Sequence, residues 1–269
     1  TSNGVVTLFG MVGSDQQSTS HPYNDLFEIT FRTNRGWRHD RKLCAALEWL
    51  GLSGAGPYPA EDFKKRLFAL GTSISYSCGE QESSVRLEGI DRNFWPSLQL
   101  AAERFDWPNV SSGTLARMVE VDLGAREDEK KDPGAVHRAL GEYAMRGRES
   151  AVLGRLTNEE LKRLSESELK SLIRDYPLWT RRVAYVGPRT ISETAKLLDS
   201  GRSFKPTALR AAMRYLKPSR GKVLFTHRDM IQAQVGLFAS HEVYDPSRVV
   251  DYQFYSQYMG GGMSAVIFQ

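Results

Sequence analysis

The chain has 269 residues, of which 41% are hydrophobic, 25% charged and 10% aromatic. These globular proportions exclude disorder, collagen and coiled-coil rods. Lys and Arg number 36 against 32 Asp and Glu, and the resulting net charge of +4 is too mild to demand nucleic acid.

Residues 1–21 are polar and poorly patterned. They have neither a basic start nor a sustained apolar stretch, so they do not read as a signal peptide. The absence of an initiator Met reads as a processed product or a piece of a longer protein. LFEITFRT (26–33) alternates and predicts a strand, and 40–50 carries Leu43, Ala46, Leu47 and Leu50 at helical spacing. Gly51, Gly54, Gly56 and Pro57 stop that helix. A second helix is predicted over 59–70, with Phe63, Leu67 and Leu70 on one face and Gly71 as its C-cap. Ile74, Tyr76 and Cys78, then Val85 and Leu87, predict a hairpin turning through GEQES. Asp91 opens a helix with Phe94, Leu98, Ala101 and Phe105 on one side, broken at Trp107-Pro108-Asn109.

The middle reads as helical. Ser111 and Ser112 can cap a helix bearing Leu115, Met118, Val119 and Leu123, which runs into the solvated stretch AREDEKKD. Asp132-Pro133 begins another helix, with Pro in its first turn. Thr157…Glu160, Ser165…Glu168 and Thr190…Glu193 have capping-box spacing. Strands are predicted at 182–187, 222–227, 232–240 and 264–268, and a helix after Asp245-Pro246 that ends at the triple glycine 260–262. The order strand–helix–strand–strand–helix thus occurs at 26–106 and again at 182–259. It predicts an α+β protein of two related lobes joined by a helical middle. The divisions are 1–21, 22–178 for the first lobe with the helical middle, and 179–269 for the second lobe.

Few residues carry recognisable chemistry. None of His21, His39, His137, His227 and His241 has a second His three to five residues away, so a helical zinc pair is absent. GLSGAG (51–56) lacks the closing glycine of a nucleophile elbow and follows a helix, so it reads as a helix-terminating loop. The triple glycine follows a helix, whereas phosphate cradles precede one, and it reads as a turn where backbones approach closely. Basic residues along 138–163 and 202–222, with Arg181-Arg182, have no regularly interleaved aromatics and read as a solvated face. Cys44 and Cys78 form neither a CxxC pair nor a framework, and they leave the redox compartment open. The sequon at Asn109 reads as chance. No apolar run reaches the ~18–20 residues of a membrane span.

Three segments carry a resemblance. They are Asn24-Asp25-Leu26-Phe27, LEWLGLSGAGPYPAEDFKKRLFALGTSISYSC (47–78) and YQFYSQYMGGGMSAVIFQ (252–269). The chain resembles, from about residue 22 onward, the C-terminal half of bacterial zinc peptidases of the insulinase/pitrilysin family. The stretch LTNEELKRLSESELKSLIRDY…VAYVG fits as well. The resemblance implies the fold shared by LuxS and the mitochondrial processing peptidase, with two α+β lobes per half-molecule and two halves closing around a chamber. In the active half, an inverted H-x-x-E-H helix and a downstream Glu hold zinc, and the motif Glu is the general base.

Aligning LSGA (52–55) with the segment after that motif places the motif on Ala45-Ala46-Leu47-Glu48-Trp49. Both His positions are lost, to Ala45 and Trp49, and only Glu48 remains. The downstream acids Glu120, Glu127 and Glu129 then have no metal to complete. The resemblance therefore implies a non-catalytic domain of a zinc metalloendopeptidase, with no catalytic residue and no cofactor of its own. Zinc is expected in a partner catalytic half, on the same chain or on a homologous subunit, and the substrate is a peptide. The family's substrate-holding Arg and Tyr, just past its V-F-Q segment, would lie beyond Gln269. The alternative is a scaffold module of a larger complex without peptidase activity. A basic nucleic-acid binder is a third reading, against which the mild charge argues. Compartment is unassigned.

Overall fold

A computed structural model of the chain describes residues 8–10, 25–198, 223–227, 233–236, 245–262 and 264–266. The elements in order are β1 (Leu8–Gly10), β2 (Leu26–Thr33), α1 (Leu43–Gly51), β3 (Gly54–Ala55), α2 (Ala60–Ala69), β4 (Thr72–Cys78) and β5 (Ser83–Ile90). Then come α3 (Phe94–Asp106), β6 (Pro108–Asn109), α4 (Thr114–Lys131), α5 (Pro133–Arg146), α6 (Ala151–Gly154), α7 (Asn158–Lys162) and α8 (Glu166–Asp175). Last are β7 (Arg181–Val186), α9 (Ile191–Leu198) and α10 (Val249–Gly260). The protein is α+β, as the order of elements predicts.

The main sheet has the order β1-β7-β2-β5-β4, with β1 and β7 parallel and the other pairs antiparallel. Alternation gives the sheet two unlike faces. Phe27, Ile29, Val85, Leu87, Val183 and Tyr185 point to one side and are buried under helices. Glu28, Thr30, Arg32, Arg86, Glu88, Arg182 and Ala184 point to the other, which no described helix covers. Helix α1 packs between β4 and α8, and its Leu43, Ala46, Leu47 and Leu50 are fully or almost fully buried. Phe94 stands edge-on to both Phe27 and Tyr185, with centroids 4.9 Å and 5.7 Å away, and joins α3 to the sheet.

The local signals hold. Thr157 and Ser165 form complete capping boxes with Glu160 and Glu168, and Thr190 with Glu193 exchanges the same reciprocal bonds. Asp132 caps α5 with Pro133 in its first turn.

Several expectations are corrected. Residues 1–21 contain a strand after all, β1, too short to show alternation and held by a ladder to β7 far along the chain. β7, expected to open the second lobe, is hydrogen-bonded to β2, so the first lobe's sheet crosses the boundary drawn at 178/179. Residues 223–227 and 233–236 are not strands. Val223, Phe225 and Val235 there are exposed, with no described ladder partner to turn an alternating pattern into a strand. The rest of the strands expected at 222–227 and 232–240 lies outside the described residues. Ser264–Val266, expected in a strand, form a turn. A Cβ at Gly261 would lie 2.6 Å from the Gln257 carbonyl oxygen, so the close approach expected of the triple glycine is met at its middle residue, whereas Gly260 and Gly262 have no described atom that near.

Candidate functional site

Helix α1 carries the three aligned positions. Ala45 and Trp49 lie one turn apart on its inner side, at 9% and 0% exposure. Glu48 sits roughly 60° round from Ala45 at 100° per residue, on the rim, and is exposed. The Trp49 ring fills the space between α1 and α8, where the Lys170 ammonium lies 5.9 Å from the ring centroid. The buried Trp49 Nε1 has no hydrogen-bond partner.

Helix α4 supplies the acid nearest this rim. The Glu48 carboxyl is raised above its ordinary range, first by the protein packed around it and then by the charge of Asp122. Asp122 is held by Arg126, 3.3 Å away, and Arg126 Nη1 donates to the Leu156 carbonyl (2.7 Å) and to Asn158 Oδ1 (3.0 Å). Arg126 thus neutralises the one α4 acid whose charge acts on Glu48. The acids singled out from sequence point elsewhere. Glu120 is exposed, Glu127 pairs with Lys130 at 2.6 Å and Glu129 with Arg155 at 2.7 Å. Asp122 was missed, although it follows the α1-facing Met118 by one helical turn, which is the signal that finds it.

Neither the Ala45 methyl nor the Trp49 indole offers a lone pair to zinc, so these positions do not fit the ion. Among the described residues, no three His, Cys, Asp or Glu side chains are placed to hold a metal.

The GLSGAG loop is structural, as expected. Arg104, almost wholly buried, donates to the Gly51 carbonyl at 2.7 Å, the Ser53 carbonyl at 2.6 Å and Ser53 Oγ at 3.2 Å. It satisfies carbonyls that the end of α1 leaves open. A Cβ at Gly54 would lie 2.0 Å from the Tyr58 carbonyl, so only glycine fits. Sequence reading missed Arg104, although a charge in step with Ser97, Leu100 and Ala101 on an apolar stripe signals a buried partner. Asn109 Nδ2 donates to the Gly56 carbonyl at 2.9 Å and is spent on the same loop.

The open sheet face is the second candidate surface. The register sets Glu28 directly opposite Glu88, and Arg86 lies 2.9 Å from each. Arg182 reaches Glu82 at 3.4 Å and Asn34 Oδ1 at 3.2 Å. The result is a broad, charge-balanced, polar surface. On the helix-covered side lies a largely apolar cavity of about 310 Å³ between α3, β7 and α9, lined by Phe31, Leu98, Phe105 and Leu198 among others. Tyr176 also lines it, and burial pushes its phenol up to about 12.

Several of these basic residues are drawn into ion pairs, Arg146 with Glu142 at 3.0 Å, Arg155 with Glu129 and Arg182 with Glu82 among them. Residues 202–222 lie outside the described residues. His39 Nδ1 accepts from the Gly36 amide at 3.2 Å, a structural role. His21 and His241 lie outside the described residues.

No protein-family model matches the sequence, and no curated protein matches it. Solved structures do. The periplasmic protease PqqL from Escherichia coli matches with a TM-score of 0.56 at 13% identity, over 71% of this chain and 22% of that one. The ferredoxin protease FusC, in complex with Arabidopsis ferredoxin, matches at 0.60 and 11%, over 72% and 22%. A peptidase M16 inactive domain from Pseudomonas fluorescens matches at 0.59 and 15%, over 72% and 49%. The fold is that of M16-type peptidases. The likeness is one of fold, and it includes a structure described as an M16 inactive domain. The match spans less than a quarter of the two M16-type proteases and about half of the inactive-domain structure. No helix among the described residues is long and apolar enough to cross a membrane.

Proposed function

We propose that this chain is the non-catalytic half of an insulinase-type zinc metalloendopeptidase and closes a peptide-binding chamber against a catalytic half. One observation carries the reading. The helix aligned with the zinc motif turns an alanine and a tryptophan inward, both buried, in place of the two histidines. With an alanine and a tryptophan unable to ligate zinc, Glu48 would have no metal-activated water to deprotonate, and the reading gives this chain no hydrolytic step of its own. The likeness to an M16 inactive domain, and a match covering only part of each neighbour, support a role as one part of a larger peptidase. The open face of the sheet is the surface assigned to the chamber. It is polar and free of described helices, and its paired charges suit passing contact with peptides of varied sequence. Zinc belongs to the partner half, on the same chain or on a homologous subunit.

The test is elemental analysis of the purified chain after dialysis against metal-free buffer, together with hydrolysis of a quenched fluorescent peptide. Near-zero zinc and no chelator-sensitive cleavage are expected. One tightly held zinc per chain overturns the alignment of Ala45 and Trp49 with the metal ligands. Stable assembly with proteins that lack peptidase activity, and with no catalytic half, would transfer the role to a scaffold.

A further inference from the structure

The sequence has two cysteines, and the structure joins them. Cys44 is the second residue of α1, and Cys78 is the last residue of β4. They are 34 residues apart in sequence, with Cα atoms 5.3 Å apart, within the usual range for a disulfide. No free cysteine remains.

The bridge joins the start of a helix to the end of a strand. α1 begins without a side-chain cap and without an acid in its first turn. Among the described residues, β4 is the edge of the sheet and pairs only with β5. The bridge falls where the chain is pressed together. Trp37 and Arg38 amides donate to the Gly79 and Glu80 carbonyls, each at 3.0 Å, and a Cβ at Gly36 would come within 2.2 Å of the Gly79 oxygen. Cross-linking there ties the edge strand to the helix that bears Ala45, Glu48 and Trp49.

We infer that Cys44–Cys78 is a permanent structural disulfide, and that the chain folds and works in an oxidising compartment. Disulfides persist there and are reduced in the cytosol. Closure proceeds by exchange with a disulfide-bearing oxidant. The Cys44 thiolate attacks one sulfur of the oxidant, forming a mixed disulfide and releasing the other as thiolate. The Cys78 thiolate then attacks Cys44 Sγ and releases the second oxidant thiolate. The two cysteines together lose two protons and two electrons, and the oxidant disulfide takes up both electrons.

The experiment uses the full chain refolded in glutathione buffer of oxidising composition, then denatured, treated with iodoacetamide and weighed. No carbamidomethyl group is expected without reductant, and two after dithiothreitol. Two groups without reductant overturn the inference. On the folded chain, dithiothreitol should lower Tm by roughly 8–15 °C for a loop of this size. Hydrogen exchange should accelerate in β4 and the first turn of α1 but not in β2. The C44A/C78A variant should show the lower Tm and no response to reductant. A Tm indifferent to dithiothreitol in the parent chain removes the structural role. Complete reduction of the native chain by millimolar reduced glutathione would make the bridge a labile cytosolic pair and remove the compartment.

Discussion

Arg104 shows how one side chain fixes the ground beneath the candidate site. Its guanidinium meets the Gly51 and Ser53 carbonyls and Ser53 Oγ, and lies 4.6 Å from the Phe63 ring centroid. Arg104→Ala strands buried acceptors and should cost about 2–4 kcal/mol. Arg104→Lys should recover only part of this, because a compact ammonium cannot span the same fork. Urea titration reads the result as a lower midpoint with an unchanged slope, and an unmoved midpoint would refute the role. Glu48 makes a pH-dependent prediction. Its folded carboxyl is raised above the unfolded value, near 4.3, so folding disfavours the charged form. Its contribution to stability is therefore best below that value and declines as pH rises through the raised folded pKa. Glu48→Gln should raise Tm slightly at pH 7 and leave it unchanged near pH 3; equal shifts at both would remove the electrostatic cause. Ala45 and Trp49 were aligned with the zinc ligands only through the family resemblance, and the structure adds that both side chains are buried on α1. The Cys44–Cys78 bridge was not legible, because it is a meeting between distant segments that no local spacing records.

At the scale of elements, local chemistry was legible and long-range pairing was not. Capping boxes at Thr157, Ser165 and Thr190 satisfy donors within one turn, so their spacing suffices to predict them. The alternation of β2 was equally plain. Alternation at 223–227 misled, because a strand needs a neighbour as well as a pattern. The sheet's polar face carries its own prediction. Glu28 and Glu88 stand opposite one another, and Arg86 neutralises both. Arg86→Met leaves two like charges facing across the ladder and should cost about 0.5–1 kcal/mol at low salt. The loss should shrink in 1 M NaCl, where screening is nearly complete (a Debye length of about 3 Å). A salt-independent loss would point to packing instead.

For the whole molecule, the α+β class followed from element order, and the M16 likeness from short segments around the Gly-rich loop and the triple glycine. The division at residue 178 also followed from element order, and it is drawn inside a continuous ladder. β7 fills the place between β1 and β2 and contributes Val183 and Tyr185 to the core. A fragment of residues 8–178 should therefore aggregate, with a bare β2 edge and an open core, while 8–198 should stay monomeric. Size-exclusion chromatography of the two decides, and a monomeric, cooperatively melting 8–178 would show that the first lobe closes without β7.

The same strand sets a schedule for synthesis. β5 is complete at Ile90, but β7 ends only at Val186, 186 − 90 = 96 residues later. At ordinary elongation rates that interval lasts roughly 5–20 s. Throughout it the nascent β2–β5–β4 hairpin array has a sticky side and no lid over part of its apolar face. Slower translation lengthens the time for which the β2 edge waits for its partner strand.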